Sequence, residues 1–189
     1  MLQRPGAGCG SGAIPPVCCS VISESGQIDP QGFEQSIEVG GTAGNNARAH
    51  ILSLRPKATF NSIPNRVKII LDSLDAMVIS GSNPVTLEMA LGQAITGTTT
   101  FADVNSSHSA VEYNSAGTIS GSPAIVALTT LLSATSGGRP PTIKPPARRY
   151  PLTLDAAGAQ RSLGTVSILG MGHSGASPIR AALNWHEVR

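Results

Sequence analysis

The chain has 189 residues and a formal net charge of +2 at pH 7, and only 13% of its residues are charged. Because an ordinary domain carries about twice that share of charge, ~25%, we expect much of this surface to be covered by copies of the chain itself or by a larger assembly. The length favours a single domain with a substantial core. The basic residues are dispersed along the chain, which argues against a nucleic-acid partner.

Residues 1–16 are rich in glycine and proline, which predicts an extended arm ahead of a β-sandwich domain over residues 17–189. The glycine run at 6–12 follows no strand, so it does not fit a phosphate-binding loop. The three cysteines, Cys9, Cys18 and Cys19, are odd in number and lack the spacing of zinc ligands. We therefore expect them to be reduced thiols.

The first predicted elements are β-strands. A strand is predicted near Cys18, and a turn and short strand near Phe33, followed by a loop through Gly40 and Gly44. Residues 49–57 predict a strand that ends near Pro56. Residues 66–80 fit alternation early and helical spacing late, and their β-branched residues favour a strand.

The middle of the chain continues this pattern. Residues 85–91 alternate apolar and polar side chains more regularly than any other segment. A short strand is predicted around Val111 and Tyr113. The apolar run at 124–135 predicts a strand buried on both faces, and the proline-rich stretch at 136–149 predicts a long loop.

The last third returns to strand patterns. Residues 150–156, in which Leu152 and Leu154 alternate with polar residues, predict a strand, and 165–172 predict another. The segment 177–189 alternates so that Trp185 lies on one face and His186 on the other. Strands at this spacing predict an all-β fold, an antiparallel β-sandwich of jelly-roll type, and we find no internal repeat.

Aromatic residues make up only 3% of the chain, so the core is expected to consist of valine, isoleucine, leucine and alanine. The same scarcity argues against base stacking. The expected aromatic anchors of the core are Phe33, Phe60, Phe101 and Trp185.

The sharpest enzymatic signal is Gly172-His173-Ser174-Gly175-Ala176, which nearly matches the G-x-S-x-G nucleophile elbow of hydrolases. A hydrolase needs an acid and a histidine later in the chain. The remaining residues offer His186 and Glu187, which are adjacent on a predicted strand and therefore face opposite sides. A glycine and serine hairpin turn is the preferred interpretation.

Other reactive side chains are scattered. His50, His108 and His173 have no carboxylate or thiol at ligand spacing, which argues against a metal site. Asp72 and Asp75 are interpreted as surface or turn residues. The sequence therefore predicts no catalytic, cofactor-binding or metal-binding residue. The densest basic group is interpreted as a solvated loop or a contact with an acidic neighbouring subunit: Arg139, Lys144, Arg148 and Arg149.

No stretch approaches the ~20 apolar residues of a membrane helix, and the start of the chain lacks the pattern of a secretory signal. We therefore expect synthesis in the cytoplasm and no membrane partner.

Three segments together resemble a β-rich domain of structural proteins in tailed bacteriophages. The first extends from a Thr96-Gly97 turn to a Ser-Ala-Val-Glu-Tyr strand at 109–113, the second is the strand at 150–155, and the third is the Ala-Leu-Asn-Trp-x-Glu strand at 182–187. The resemblance covers roughly residue 49 to the end.

The resemblance implies a non-enzymatic virion component without a cofactor. A compact β-domain with a glycine- and proline-rich arm and low surface charge suits clamping between capsid subunits, so the leading expectation is a head-decoration (cement) protein bound to the major capsid protein or to other virion proteins. Closed symmetry makes a homotrimer natural at threefold positions. A tail, baseplate, fibre or adaptor subunit remains an alternative. A host-glycan-binding β-sandwich is another.

Overall fold

A computed structural model of the chain describes residues 32–133, the backbone of residues 142–143, and residues 151–188. The predicted arm, the strand expected near Cys18, the three cysteines and most of the proline-rich stretch lie outside these ranges. The described residues form fourteen β-strands and no helix, and so contain no helix long and apolar enough to span a membrane. The strands are β1 (Phe33–Asn45), β2 (Ala49–Pro56), β3 (Thr59–Phe60), β4 (Ile63–Pro64), β5 (Lys68–Val78), β6 (Val85–Leu91), β7 (Ala94–Gly97), β8 (Ala102–Asp103), β9 (Val111–Asn114), β10 (Gly117–Ser120), β11 (Ile125–Leu132), β12 (Thr142–Ile143), β13 (Val166–Gly172) and β14 (Ser177–Val188).

Two packed sheets make up the fold. The first sheet has the antiparallel order β12-β5-β14-β1, and the second has the antiparallel order β11-β6-β13-β2-β9-β8. Gly44 and Asn45, at the end of β1, pair in parallel with β13, so β1 joins both sheets at one corner. Two small sheets, β7 with β10 and β3 with β4, complete the domain. The predicted all-β sandwich is confirmed.

One apolar core lies between the sheets, contributed by alternate residues of β2, β5, β6, β13 and β14. Trp185 is its largest side chain and is 1% exposed. Phe60 packs in a small second cluster with Val67 and Ala110. The prediction for Phe33 is wrong, because this side chain is 57% exposed. Phe101 is half-buried, and its ring stacks against the Arg55 guanidinium at 3.8 Å.

A β-bulge explains the mixed periodicity of residues 66–80. Trp185 pairs with Leu71 and the adjacent Asn184 pairs with Ser73, so Asp72 is an extra residue in β5. The inward positions therefore change from odd to even numbers along the strand. The prediction of a strand is confirmed, and the apparent helical spacing is the change of phase at the bulge.

Strand β1 is longer than predicted, because it continues through Gly40, Gly41 and Gly44 to Asn45. A Cβ atom on Gly41 would lie 2.9 Å from Cδ1 of Ile51, so glycine permits a close approach to β2 here. The loop begins only at Asn46, whose φ of 49° is left-handed.

The run at 124–135 is not buried on both faces, which corrects that prediction. Among the described strands, β11 is paired with β6 alone and forms the edge of the second sheet. Leu131 is 65% exposed and Val126 40%, while Leu132 is buried. An apolar run identifies a strand but not its position in the sheet.

Two predictions for the last third of the chain are also corrected by the structure. Residues 151–156 form isolated bridges instead of a strand: Leu152 bridges Ile69 of β5, and Leu154 bridges Gln160. Both leucines are nevertheless buried, as their alternation indicated. Within the predicted proline-rich loop, Thr142 and Ile143 form β12 at the edge of the first sheet.

Candidate functional site

The segment Gly172–Ala176 is a turn between the two sheets, since β13 and β14 belong to different sheets. It is therefore not the predicted hairpin turn. Ser174 has a left-handed φ of 69°, and its N–H donates to Oδ1 of Asn46 at 3.3 Å. His173 Nε2 lies 2.7 Å from the Thr86 hydroxyl. A strand follows this turn, whereas a nucleophile elbow leads into a helix.

The triad partners considered for Ser174 lie at the far end of β14. Glu187 is ten residues beyond the strand's first residue, Ser177, which corresponds to roughly 33 Å of extended chain. As predicted, His186 and Glu187 occupy opposite faces, with Glu187 buried and His186 half-buried. The structure does not bring these residues together with Ser174.

The remaining predicted candidates are also separated. His108 Nδ1 lies 3.3 Å from Oδ1 of Asn105, and His50 is in a different hydrogen-bonded group described below. Within the described ranges, no group of three or more histidine, cysteine, aspartate or glutamate residues could hold a metal ion.

Asp72 and Asp75 lie on the outer face of the first sheet, the face opposite the core. Asp75 accepts a 3.4 Å hydrogen bond from Asn184. Asp72 borders an open polar groove of about 510 Å³ that crosses β1, β14 and β5. Sequence analysis missed this groove because three distant segments form it. The polar side chains lining it include Glu34, Ser36, Asp72, Ser73, Asn184 and His186.

Residues of the first and third resemblance segments meet in a buried group around Glu187, which we call the Glu187 cluster. The Glu187 carboxylate accepts hydrogen bonds from the Ser109 hydroxyl at 2.5 Å, the Trp185 indole N–H at 3.2 Å and the Ala110 N–H at 2.8 Å. Its side chain is fully buried. The alternation of β14 already placed Glu187 on the same face as Trp185, a signal that could have predicted its burial.

Asn65 and Lys57 form further polar contacts next to the Glu187 cluster, around Ala110. Asn65 donates from Nδ2 to the carbonyls of Lys57 and Ala110, both at 3.0 Å, and accepts from the Val67 N–H. The buried Lys57 ammonium lies 3.2 Å from Asp103. The contacts satisfy polar groups at this end of the sandwich, which is a structural role.

The two-stranded sheet of β7 and β10, which we call the β7–β10 layer, lies against β2 of the second sheet. Asn114 closes one end of the layer: it donates to the carbonyls of Thr98 and Thr100 and accepts from the N–H groups of Ala116 and Gly117. At the other end, Gln93 donates to the carbonyls of Ala94 and Ser120. Both side chains are buried.

Between these ends, His50 joins the layer to the sheet. Its Nδ1 lies 3.1 Å from the Gly117 carbonyl and its Nε2 2.8 Å from the Ser53 hydroxyl, which lies 2.6 Å from the Ser167 hydroxyl. Burial lowers the pKa of His50, and the bond to Gly117 opposes this only in part. Both serines are fully buried.

Apolar side chains interrupt the polar surface at several places. Leu131 and Val126 lie on the edge strand β11, Ile63 lies next to the β3–β4 turn, and Phe33 begins β1. Strand β11 contains no charged residue and no proline, the usual protections of a sheet edge. Such surfaces suit contacts with other protein subunits.

Comparisons with known proteins return no relative. No protein-family model matches the chain, no curated protein matches it, and no solved structure matches it. Its function is therefore inferred from the fold and its surfaces.

Proposed function

We propose that this protein is a non-enzymatic structural subunit of a virus particle that builds or covers the particle's shell. The observation that carries the proposal is the order in which the strands are connected. The eight strands concerned are β1, β2, β5, β6, β11, β12, β13 and β14.

If these eight strands are numbered one to eight along the chain, the first sheet has the order 1-8-3-6 and the second contains 2-7-4-5. The chain thus passes repeatedly between the sheets. We infer a jelly roll, an architecture shared by viral capsid proteins, lectins and cupins. Fold alone does not define function, so the choice among these classes depends on the surfaces.

The surfaces support a shell subunit. The β11 edge exposes Leu131 and Val126 without a protecting charge, which favours burial against another subunit. Sugar sites commonly use the face of an exposed tryptophan, whereas the single tryptophan of this chain, Trp185, lies in the core.

Two forms of this role are compatible with the jelly roll. In the form suggested by the resemblance, the protein is a bacteriophage head-decoration protein that binds the major capsid protein as a homotrimer. In the other, the subunits themselves form a closed shell. A tail, baseplate or fibre adaptor is a third location for the same kind of subunit.

Light scattering and negative-stain electron microscopy of the purified full chain test the proposal. A discrete trimer supports the decoration role, and closed particles support the shell-forming role. A protein that stays monomeric at every concentration and in the presence of capsids would contradict both. Labelling by a serine-reactive fluorophosphonate that is lost in Ser174→Ala would instead indicate a hydrolase.

Binding of a host glycan is the second candidate, and the groove beside Asp72 is the observation that favours it. Carboxylate, amide and imidazole groups line this groove and can bond sugar hydroxyls. The test is a glycan array with the wild-type protein and Asp72→Ala. Specific binding that Asp72→Ala abolishes would support this candidate, and an array without signal would oppose it.

A further inference from the structure

We propose that His50 is an acid-sensitive latch that holds the β7–β10 layer against the second sheet and releases it at acidic pH. The proposal depends on the hydrogen-bonded chain from Gly117 through His50 and Ser53 to Ser167. It does not depend on the proposed virion role.

In the hydrogen-bonded series Gly117–His50–Ser53–Ser167, the chemistry of each group determines which atom carries the hydrogen of each bond. A carbonyl can only accept, so Nδ1 of His50 carries the hydrogen that bonds to Gly117. Nε2 of the neutral ring is then an acceptor, and the Ser53 hydroxyl donates to it. The Ser53 oxygen in turn accepts from the Ser167 hydroxyl. Every member of this chain has a partner while His50 is neutral.

Protonation of Nε2 removes the acceptor of the Ser53 hydroxyl hydrogen and reverses the bond between His50 and Ser53. The imidazolium must donate to the Ser53 oxygen, which either keeps accepting from Ser167 as well or donates its own hydrogen to Ser167. In either arrangement one of the two buried hydroxyl hydrogens has no acceptor, since the side-chain hydrogen bonds of these hydroxyls among the described residues are those to His50 and to each other. A buried donor without a partner is costly, as is a charge removed from water.

The charge of an imidazolium also strengthens its bond to the Gly117 carbonyl, which favours protonation. Burial is the larger effect, and the pKa of His50 is lowered. In the open layer the ring is hydrated and takes up a proton more readily. Opening is therefore favoured as the pH falls.

The carboxylates on the described strands β6 and β9 already have arginine partners that compete for them. Glu88 is bonded to Arg48 at 2.5 Å, and Glu112 to Arg55 at 2.5 Å. Strands β7, β10 and β13 contain no charged or titratable residue. The charged and titratable groups on the elements around His50 are Arg48, Arg55, Glu88, Glu112 and Tyr113, with Glu34 and Glu38 on β1.

The pH range follows from the sign of the shift. Because the pKa of His50 is lowered in the closed state, the free energy that favours the closed layer is largest above the ordinary pKa of 6.5. This free energy decreases as the pH falls from 6.5 to the lowered pKa of the closed state. Below that pKa it no longer changes with pH.

Hydrogen exchange measured by mass spectrometry on peptides from residues 94–120 tests the latch. After correction for intrinsic exchange rates, wild-type protection should fall between pH 7.5 and 5.0, by about tenfold for each unit by which the pKa is lowered. His50→Asn keeps an N–H donor near the Nδ1 position but does not titrate, so its protection should not change with pH. His108→Asn, which removes an exposed histidine, should behave as the wild type.

Equal pH dependence in wild type and His50→Asn would overturn the proposal, as would wild-type protection that does not change with pH. If His50→Asn does not fold, nitrogen-15 NMR of the wild type decides. An Nδ1–H tautomer with a midpoint below pH 6.5 that coincides with the loss of protection supports the latch. A midpoint at or above 6.5 overturns it.

Discussion

At the scale of single residues, buried polar side chains hold together segments that are far apart in sequence. Glu187 bonds to Ser109 and Ala110, and Asn65 joins the Lys57 and Ala110 carbonyls. Each of these groups is satisfied by several partners. Removing one partner leaves another without its bond, which is the costly case for a buried group.

Glu187→Gln should destabilise the protein by about 1–3 kcal/mol, because one carboxylate oxygen becomes an amide N–H₂ that opposes a donor. Urea unfolding followed by tryptophan fluorescence measures the change. The matched control is Glu34→Gln on exposed strand β1, for which we expect less than about 0.5 kcal/mol. Equal effects of the two substitutions would show that the Glu187 cluster does not stabilise the fold.

At the scale of elements, the bulge in β5 and the exposed edge at β11 give the strands distinct roles. The bulge at Asp72 reconciles two halves of β5 whose inward residues are out of phase. Strand β11 presents uncharged side chains at a sheet edge. Each feature leads to a prediction.

Deletion of Asp72 should preserve the fold, since Leu71 and Leu74 would still point inward in an uninterrupted alternation. Deletion of Met77, whose side chain is likewise exposed, is the matched control and should destabilise strongly because it turns Val78 outward. Circular dichroism during thermal unfolding compares the two deletions. A more stable Met77 deletion would contradict the assigned register.

Leu131→Lys should reduce self-association without lowering the unfolding temperature, because it places a charge on an exposed edge and removes no core contact. Light scattering over a concentration series measures the association. Leu163→Lys introduces the same charge at an apolar surface residue outside any strand and should associate as the wild type. Unchanged association of Leu131→Lys would exclude the β11 edge as the contact.

At the scale of the whole molecule, the described part of the main core is formed by residues of the two sheets together with Leu152. Its described buried residues lie between Ala43 and Trp185. The two sheets are linked at a corner by β1, and His50 and Asn114 form hydrogen bonds that connect the β7–β10 layer to the second sheet. Because residues 1–16 are predicted to form an extended arm, we expect folding of the sandwich and attachment to a partner to be separable.

Removal of residues 1–16 should leave the unfolding temperature unchanged, because this glycine- and proline-rich segment is predicted to be an extended arm ahead of the sandwich. If the arm serves attachment, the truncated protein should keep its oligomeric state and lose binding to other virion proteins. Calorimetry and light scattering of both forms measure these properties. A large fall in unfolding temperature would show that the arm is part of the folded unit.

The sequence by itself determined the strand character of most segments and the inward face of β14, because alternation along one strand is a local property. It also placed Glu187 beside Trp185 on that face. The tertiary structure decided that β11 is an edge, that Asp72 is a bulge and that residues 151–156 form only bridges. It also decided that His50 meets Gly117 and that Ser109 meets Glu187. These contacts depend on strand register and on the packing of layers across 67 and 78 residues of chain, which no local pattern encodes.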